Sequence, residues 1–363
     1  MKPYKFIISG GGTGGHIFPA LAIADALKAQ YPAANILFVG AKGRMEMNRV
    51  PQAGYVIKGL WIKGIQRKFT LDNILFPFKL FVSLVKSWFI IQKFKPHLVV
   101  GTGGFASGPL LYMASQKNIP TLIQEQNAWP GITNRLLAKH ANRICVAHLG
   151  MDRFFPAQKV ILTGNPLRQT LINPSIDSKQ ARFKLNQHQD RTTLLVLGGS
   201  LGAKRINQLM AVHAQKLVQQ NLQILWQCGS LYQQEYISYN QDHIRVVSFL
   251  EDMASAYASA DIILSRAGAL AVSELCHVGK AVMFVPSPNV AEDHQYKNAM
   301  SIAQQDAAIV IKESELDEAF IPSITQLIKN PSRQQQLGAN IKKLAKPNAT
   351  DDIIEQIKEM LHD

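Results

Sequence analysis

Phe6-Ile7-Ile8-Ser9-Gly10-Gly11-Gly12-Thr13-Gly14-Gly15-His16 is a short apolar run that ends in a turn almost free of side chains. Five of the six residues from Gly10 to Gly15 lack a Cβ. The backbone there reaches positive φ easily, and a ligand can approach the main chain closely. The pattern predicts a strand, a turn, and a helix opening near Ile17 whose unpaired N–H groups and positive dipole end point at the turn. Such a loop suits a phosphate or pyrophosphate. His16 stands where turn becomes helix, and its near-neutral intrinsic pKa suits a general base toward a sugar hydroxyl. The plain alternative is a structural or solvated histidine. Gly10-x-Gly12-x-x-Gly15 also matches the dinucleotide fingerprint. The second strand, however, ends Phe38-Val39-Gly40-Ala41-Lys42, without the carboxylate a nicotinamide ribose needs. An oxidoreductase is therefore a disfavoured rival.

Outward from this stretch, β-branched runs at 6–9, 36–39, 98–100, 121–123, 144–147 and 160–163 alternate with helical patterns at 17–30, 73–94, 109–117 and 132–139. That alternation predicts an α/β fold with a parallel sheet covered on both faces. The second half repeats it, with strands at 193–197, 223–226, 244–247, 262–265, 282–285 and 308–311. Its helices fall at 204–219, 253–260, 269–277, 295–305, 321–329 and 332–344. Leu195-Val196-Leu197-Gly198-Gly199-Ser200-Leu201-Gly202-Ala203 mirrors the opening stretch, 198 − 11 = 187 residues later. Two Rossmann-like domains with facing phosphate-type loops follow. The expected division is 1–165 and 166–347, broken at Thr163-Gly164-Asn165-Pro166, with a terminal helix in 348–363 packing back on the first domain.

The 363 residues carry a net charge of +14, from 39 Lys and Arg against 25 Asp and Glu. This implies an anionic partner, with membrane and phosphorylated substrates favoured. Nucleic acid is disfavoured, because no zinc finger, RNP1 motif or basic repeat is present. Cys145, Cys228 and Cys276 are scattered without a metal spacing and predict buried free thiols in a reducing compartment. Residues 1–9 read as a strand and not as a secretory signal.

Gly101-Thr102-Gly103-Gly104-Phe105 and Gln124-Glu125-Gln126-Asn127-Ala128 follow the expected third and fourth strands and should border one cleft. Glu125 and Asn127 read equally as ligand contacts or as loop hydrogen-bonding groups. Arg266-Ala267-Gly268-Ala269-Leu270-Ala271-Val272-Ser273-Glu274 leads from a strand into a helix, a second anion site. Glu274 there can accept both hydroxyls of a ribose, or simply sit well in the helix dipole. Gln295 and Asn298, after the polar loop 286–293, suit sugar hydroxyls or capping. No Asp-x-Asp occurs, so leaving-group charge falls to backbone dipoles and side chains and no metal is expected. From Leu75 to Phe94 a helix rich in Phe, Leu, Val, Ile and Trp is interrupted by Lys79, Lys86 and Lys93, seven apart. It is no transmembrane span. Lysines flanking an aromatic face suit an anionic bilayer surface, or else face water while the helix covers the sheet.

Taken together and in order, Gly11–His16, Gly101–Phe105, Glu125-Gln126-Asn127, Thr163-Gly164-Asn165-Pro166-Leu167-Arg168, Gly198–Ala203, Ser265–Glu274 and His294-Gln295-Tyr296-Lys297-Asn298-Ala299 resemble the MurG family over essentially the whole chain. These peptidoglycan glycosyltransferases add N-acetylglucosamine to lipid I. The resemblance implies a GT-B fold, two Rossmann-like domains with parallel sheets facing across a cleft. It implies inverting transfer from UDP-N-acetylglucosamine to the 4-hydroxyl of the N-acetylmuramoyl unit of undecaprenyl-pyrophosphoryl-MurNAc-pentapeptide, giving lipid II, without a metal. Rivals on the same fold are a UDP-sugar epimerase and a glycolipid transferase. The resemblance assigns donor contacts to Thr13, Gly14, Gly15, Asn127, Arg168, Ser200, Leu250, Ala269, Leu270, Ala271, Val272, Ser273, Glu274 and Gln295. Leu250 would meet uracil through its backbone, Glu274 the ribose, Ser200 a phosphate, and Gln295 with Asn127 the amino sugar. Gly11, Gly12, Gly14, Gly103 and Gly104 would cradle the acceptor pyrophosphate. His16 and Glu125 are the expected catalytic pair. Leu75, Phe78, Phe81, Val82, Val85 and Trp88 would meet an anionic phospholipid surface on the cytoplasmic face of the inner membrane, where other cell-wall synthesis proteins are potential associates. Ala271 departs from the hydroxyl residue many relatives carry, so position 271 offers only its backbone.

Overall fold

The structure, a computed structural model, describes residues 3–64, 74–167, 176–199 and 201–362. The chain separates into two compact units, Met1–Leu167 with Asn348–Asp363, and Arg168–Pro347.

The first unit runs β1 (Lys5–Gly10), α1 (Gly14–Gln30), β2 (Asn35–Ala41), α2 (Glu46–Gln52), β3 (Val56–Leu60), α3 (Phe76–Phe94), β4 (Leu98–Gly103), α4 (Ser107–Ser115), β5 (Thr121–Glu125), α5 (Ile132–Leu137), β6 (Arg143–Val146) and β7 (Val160–Leu162). The second runs α6 (Ser178–Lys184), β8 (Thr192–Leu197), α7 (Lys204–Val218), β9 (Leu222–Gln227), α8 (Gln233–Tyr236), β10 (Ile244–Val247), α9 (Met253–Ser259), β11 (Ile262–Ser265), α10 (Ala269–Val278), β12 (Ala281–Phe284), α11 (His294–Ala303), β13 (Ile309–Val310), α12 (Leu316–Ile328) and α13 (Pro331–Lys343). A last helix, α14 (Ala349–His362), returns to the first unit, where it meets α1.

Both sheets are parallel, in the orders β3-β2-β1-β4-β5-β6-β7 and β10-β9-β8-β11-β12-β13. Their central strands are apolar at successive positions because helices cover both faces. Ile7, Val39, Val99 and Ile123 point to one core, shared with α3 and α4. Phe6, Ile8, Phe38 and Val100 point to the other, filled by α1 and by Ile353, Ile357 and Met360 of α14.

β3 and α2 in the first unit, and α6 and α8 in the second, were not anticipated. β3 is an edge strand whose short apolar run is broken by Lys58 and Gly59, and α2 carries Pro51. The presence of β3 places the 101–105 and 124–128 segments at the ends of the fourth and fifth strands, one place later than expected.

The lysines of α3 also require correction. Lys79 is only 4% exposed, with its ammonium 5.5 Å from the Trp61 ring centre. Lys86 donates to the Gly59 carbonyl at 2.7 Å. Burial, then Lys42 and Lys58, lower the pKa of Lys86. Both cations thus lie against the β3 side of the helix, and only Lys93 of the three is exposed. The outward stripe is aromatic and apolar: Phe78, Phe81, Val85, Trp88 and Phe89 are all exposed, Phe81 by 64%, while Val82 is half-buried, and the Lys117 ammonium lies 5.3 Å from the Trp88 ring centre. Leu75, just before the helix, is exposed too. Among the described residues no helix is long and apolar enough to cross a membrane.

Candidate active site

In the first sheet β1 pairs with β2 on one side and β4 on the other, and the chain winds away in opposite directions from that pair. The crevice beyond their carboxyl ends is the switch point where such sheets bind ligands. The glycine turns after β1 and β4 meet there. Gly11 N–H donates to the Gly103 carbonyl at 3.3 Å, and a Cβ on Gly104 would lie 2.4 Å from the Gly11 carbonyl oxygen. Gly103 and Gly104 have φ of 103° and 89°, a region side chains rarely enter. Ser107 donates to the Gly103 carbonyl at 2.8 Å, and Thr102 to the His16 carbonyl at 2.7 Å.

The structure divides the first turn's N–H groups into two sets. Gly12 N–H donates at 2.9 Å to Oε2 of Glu46, a residue sequence reading did not single out. With Gly11 N–H also employed, the expected pyrophosphate cradle at Gly11 and Gly12 is corrected: their donors are turned into the protein. Thr13, Gly14 and Gly15 supply the N–H groups for which no described residue is the acceptor, at the positive end of α1. His16 is half-buried beside them. Its Nδ1 lies 2.9 Å from the Gly11 carbonyl oxygen. A carbonyl only accepts, so Nδ1 carries the proton and Nε2 of the neutral ring holds the lone pair.

Glu125 is buried and fully engaged by its own loop. Oε1 accepts from the backbone and side-chain amides of Asn127 at 3.0 and 3.2 Å, and Oε2 from Gly131 N–H at 3.2 Å and Asn134 Nδ2 at 2.8 Å. Four donors aimed at one carboxylate make it an organiser of the 126–131 loop, and the expectation of proton transfer by Glu125 is corrected on that geometry. Gln126 ties this loop to β4 through the Thr102 carbonyl at 2.8 Å. Asn165 closes it through the Gln126 carbonyl at 3.1 Å.

The second unit repeats the arrangement around β8, which pairs with β9 and β11. Gly199 and Gly202 take φ of 84° and 91° in the turn after β8, and a Cβ on Gly202 would lie 2.2 Å from the Cys228 carbonyl oxygen. Ser200 and Arg168 lie outside the described residues. After β11, Gly268 begins α10 in extended conformation, and the first-turn N–H groups of Leu270 and Ala271 open the helix. Val272 is a further correction: its side chain is 1% exposed within the core, and its N–H donates to the Gly268 carbonyl. Helical periodicity turns position 272 inward while 270, 271, 273 and 274 remain half-buried. Ala269 is buried at the helix start.

Glu274 receives the Tyr257 hydroxyl on Oε2 at 2.9 Å. Burial, then the Glu274 charge, hold the Tyr257 phenol well above its ordinary pKa, so it stays a donor. Leu250 packs its side chain into the core with Tyr257 and Val272, and no described residue engages its backbone N–H or carbonyl. Gln295 accepts Ser287 N–H on Oε1 at 2.9 Å, which leaves Nε2 as the group it presents. Tyr257 and Glu46 escaped sequence reading because each acts on a partner distant in sequence, with no local motif.

Models of glycosyltransferase family 28 match the chain, the N-terminal domain over residues 6–146 and the C-terminal domain over 193–357. The UDP-N-acetylglucosamine–N-acetylmuramyl-(pentapeptide) pyrophosphoryl-undecaprenol N-acetylglucosamine transferase of Flavobacterium psychrophilum is 56% identical over 98% of each chain. The enzyme of the same name from Christiangramia forsetii is 55% identical, over 99% of this chain and 98% of its own. The crystal structure of Acinetobacter baumannii MurG superposes with a TM-score of 0.81 at 30% identity, over 98% of this chain and all of that one.

Proposed function

Because this chain belongs to the MurG family of glycosyltransferases, we propose that it transfers N-acetylglucosamine from UDP-N-acetylglucosamine to the 4-hydroxyl of the N-acetylmuramoyl unit of lipid I, forming lipid II for peptidoglycan. The observation that carries this reading is a matched pair of switch-point sites, one per unit, each built from a glycine turn and the start of a helix. Two diphosphate-bearing substrates call for two such sites.

In this reading the acceptor hydroxyl gives its proton to His16 Nε2 as its oxygen bonds to C1 of the donor sugar. The bond from C1 to the β-phosphate oxygen breaks, UDP leaves with the electron pair, and the anomeric centre inverts. Gly14 N–H meets the acceptor pyrophosphate, and Thr13, Gly14 and Gly15 face the donor, as the family pattern assigns. Leu270 and Ala271 N–H groups meet the charge growing on UDP. Glu274 accepts the ribose hydroxyls, Leu250 offers backbone to uracil, and Gln295 Nε2 and Asn127 meet the amino sugar. Ser200 and Arg168 serve the donor phosphates on the strength of the family pattern. No metal is assigned a role, in keeping with the missing Asp-x-Asp. The aromatic outer stripe of α3 rests on the anionic bilayer that carries lipid I, at the cytoplasmic face of the inner membrane.

Incubation with radiolabelled UDP-N-acetylglucosamine and a lipid I analogue, in parallel with excess EDTA and with magnesium, tests this. Equal transfer in both arms is expected. Absence of labelled disaccharide product overturns the function, and transfer confined to magnesium overturns metal independence.

A further inference from the structure

Glu46 is the first residue of α2 and is 0% exposed. Its two oxygens accept two backbone N–H groups at 2.9 Å each, Ala41 on Oε1 and Gly12 on Oε2. Among the described residues it has no cationic partner. A buried carboxylate held only by neutral amides carries a desolvation cost that no opposite charge offsets. The surroundings are nevertheless shaped to admit it. A Cβ on Gly11 would lie 2.2 Å from Oε1, and one on Gly40 would lie 2.5 Å from Cγ. Both glycines leave a slot for this side chain.

The Gly12 N–H and the Gly11 carbonyl belong to one peptide group. On its N–H side that group faces Glu46, and on its carbonyl side it faces His16 Nδ1, both at 2.9 Å. The Gly103-Gly104 turn walls in the same peptide and ring: a Cβ on Gly104 would lie 2.4 Å from the Gly11 carbonyl oxygen, and one on Gly103 3.0 Å from His16 Nε2. The order is carboxylate, amide, imidazole.

We propose that Glu46 is a positioning residue for His16, acting through the Gly11–Gly12 peptide group. A carboxylate on the N–H polarises the amide and strengthens its carbonyl as an acceptor. The carbonyl then holds the proton on Nδ1 and keeps the lone pair on Nε2, where a base must present it. When His16 takes the acceptor's proton it becomes a cation, and Glu46 becomes its counter-charge two hydrogen bonds away. The buried charge that burdens the resting protein therefore favours the proton-transfer state. This rests on His16 being the base.

The test is nitrogen-15 NMR of histidine-labelled full-length protein, with the His16 ring assigned from its loss in His16→Ala. In the wild type the neutral His16 ring should be protonated at Nδ1, against the solution preference for Nε2. A ring protonated at Nε2 overturns the proposal and requires no Glu46 variant to fold. In Glu46→Gln the amide cannot accept both N–H groups. The two tautomers should mix, and kcat should fall about 10-fold or more with KM for UDP-N-acetylglucosamine changed by less than about twofold. An unchanged tautomer in Glu46→Gln, with His16→Ala inactive, removes the role of Glu46 alone. Normal turnover in His16→Ala instead removes the base assignment and the use of the relay together.

Discussion

His16 and Glu274 carry the proposed base and ribose roles, one in each unit, and each is held by a group outside its own helix. The Gly11 carbonyl sets the ring tautomer of His16. If Nε2 is the base, His16→Ala should lower kcat by about 10²–10⁴-fold while donor affinity, read by calorimetry, changes by less than about twofold. Glu274 is steadied by the Tyr257 hydroxyl, 17 residues earlier. Tyr257→Phe removes one hydrogen bond worth about 0.5–1.5 kcal/mol, so the Kd for UDP should rise about 2–10-fold with kcat retained. An unchanged Kd would detach Glu274 from the ribose. At this scale sequence reading chose its candidate groups by type and by nearness to glycine turns. It did not find Glu46 or Tyr257, and it gave Glu125 a proton-transfer role that four loop donors replace.

Among the elements, α3 shows how a periodic pattern can be read correctly and turned the wrong way. Lysines at every seventh position do share one side of the helix. That side faces β3, where Lys86 finds a carbonyl and Lys79 the face of Trp61. The long aliphatic stems lie in the packing while the charged ends find local partners. The aromatic face is therefore the outer one, and the proposed bilayer contact would rest on apolar area more than on the three lysines. Phe81→Asp with Trp88→Asp should abolish most flotation with anionic liposomes while leaving turnover on a water-soluble lipid I analogue within about twofold of the wild type. Equal flotation of variant and wild type would remove α3 as the contact. The glycine turns, by contrast, were legible to the residue. A strand ending in consecutive glycines before a helix leaves the chain few alternatives, and both such turns lie at switch points of their sheets.

At the scale of the whole molecule, the chain finishes the first unit only with its last helix. Ile353, Ile357 and Met360 of α14 complete the core on the α1 face of the first sheet. Ile357 is fully buried there, so Ile357→Ala should cost about 2–5 kcal/mol in urea unfolding of the first unit. A loss below 0.5 kcal/mol, roughly the level of a surface substitution, would mean that α14 is not part of that core. The same unit should be acid-sensitive through His148. Burial, only partly opposed by a hydrogen bond to the Gln126 backbone, pushes this imidazole down from 6.5 to about 4. The folded value lies below the unfolded one, so between them the unfolded chain binds the extra proton. Stability should be whole above about pH 6.5 and decline as pH falls toward 4, by roughly 3 kcal/mol at 1.36 kcal/mol per unit. Unfolding curves from pH 4 to 8 test this, and His148→Phe should flatten the profile in that window.

The alternation of strand and helix, the two parallel sheets and the two glycine turns were determined by the sequence alone, because period, β-branching and glycine content act on residues that are neighbours along the chain. Only the tertiary structure decided which N–H groups of the first turn face a ligand, which side of α3 faces out, and which carboxylate stands behind His16. Glu46 is 34 residues from Gly12 and meets it because β2 lies beside β1. A contact across a sheet depends on strand order and on the slot its neighbours leave, and neither is written in any local run of residues.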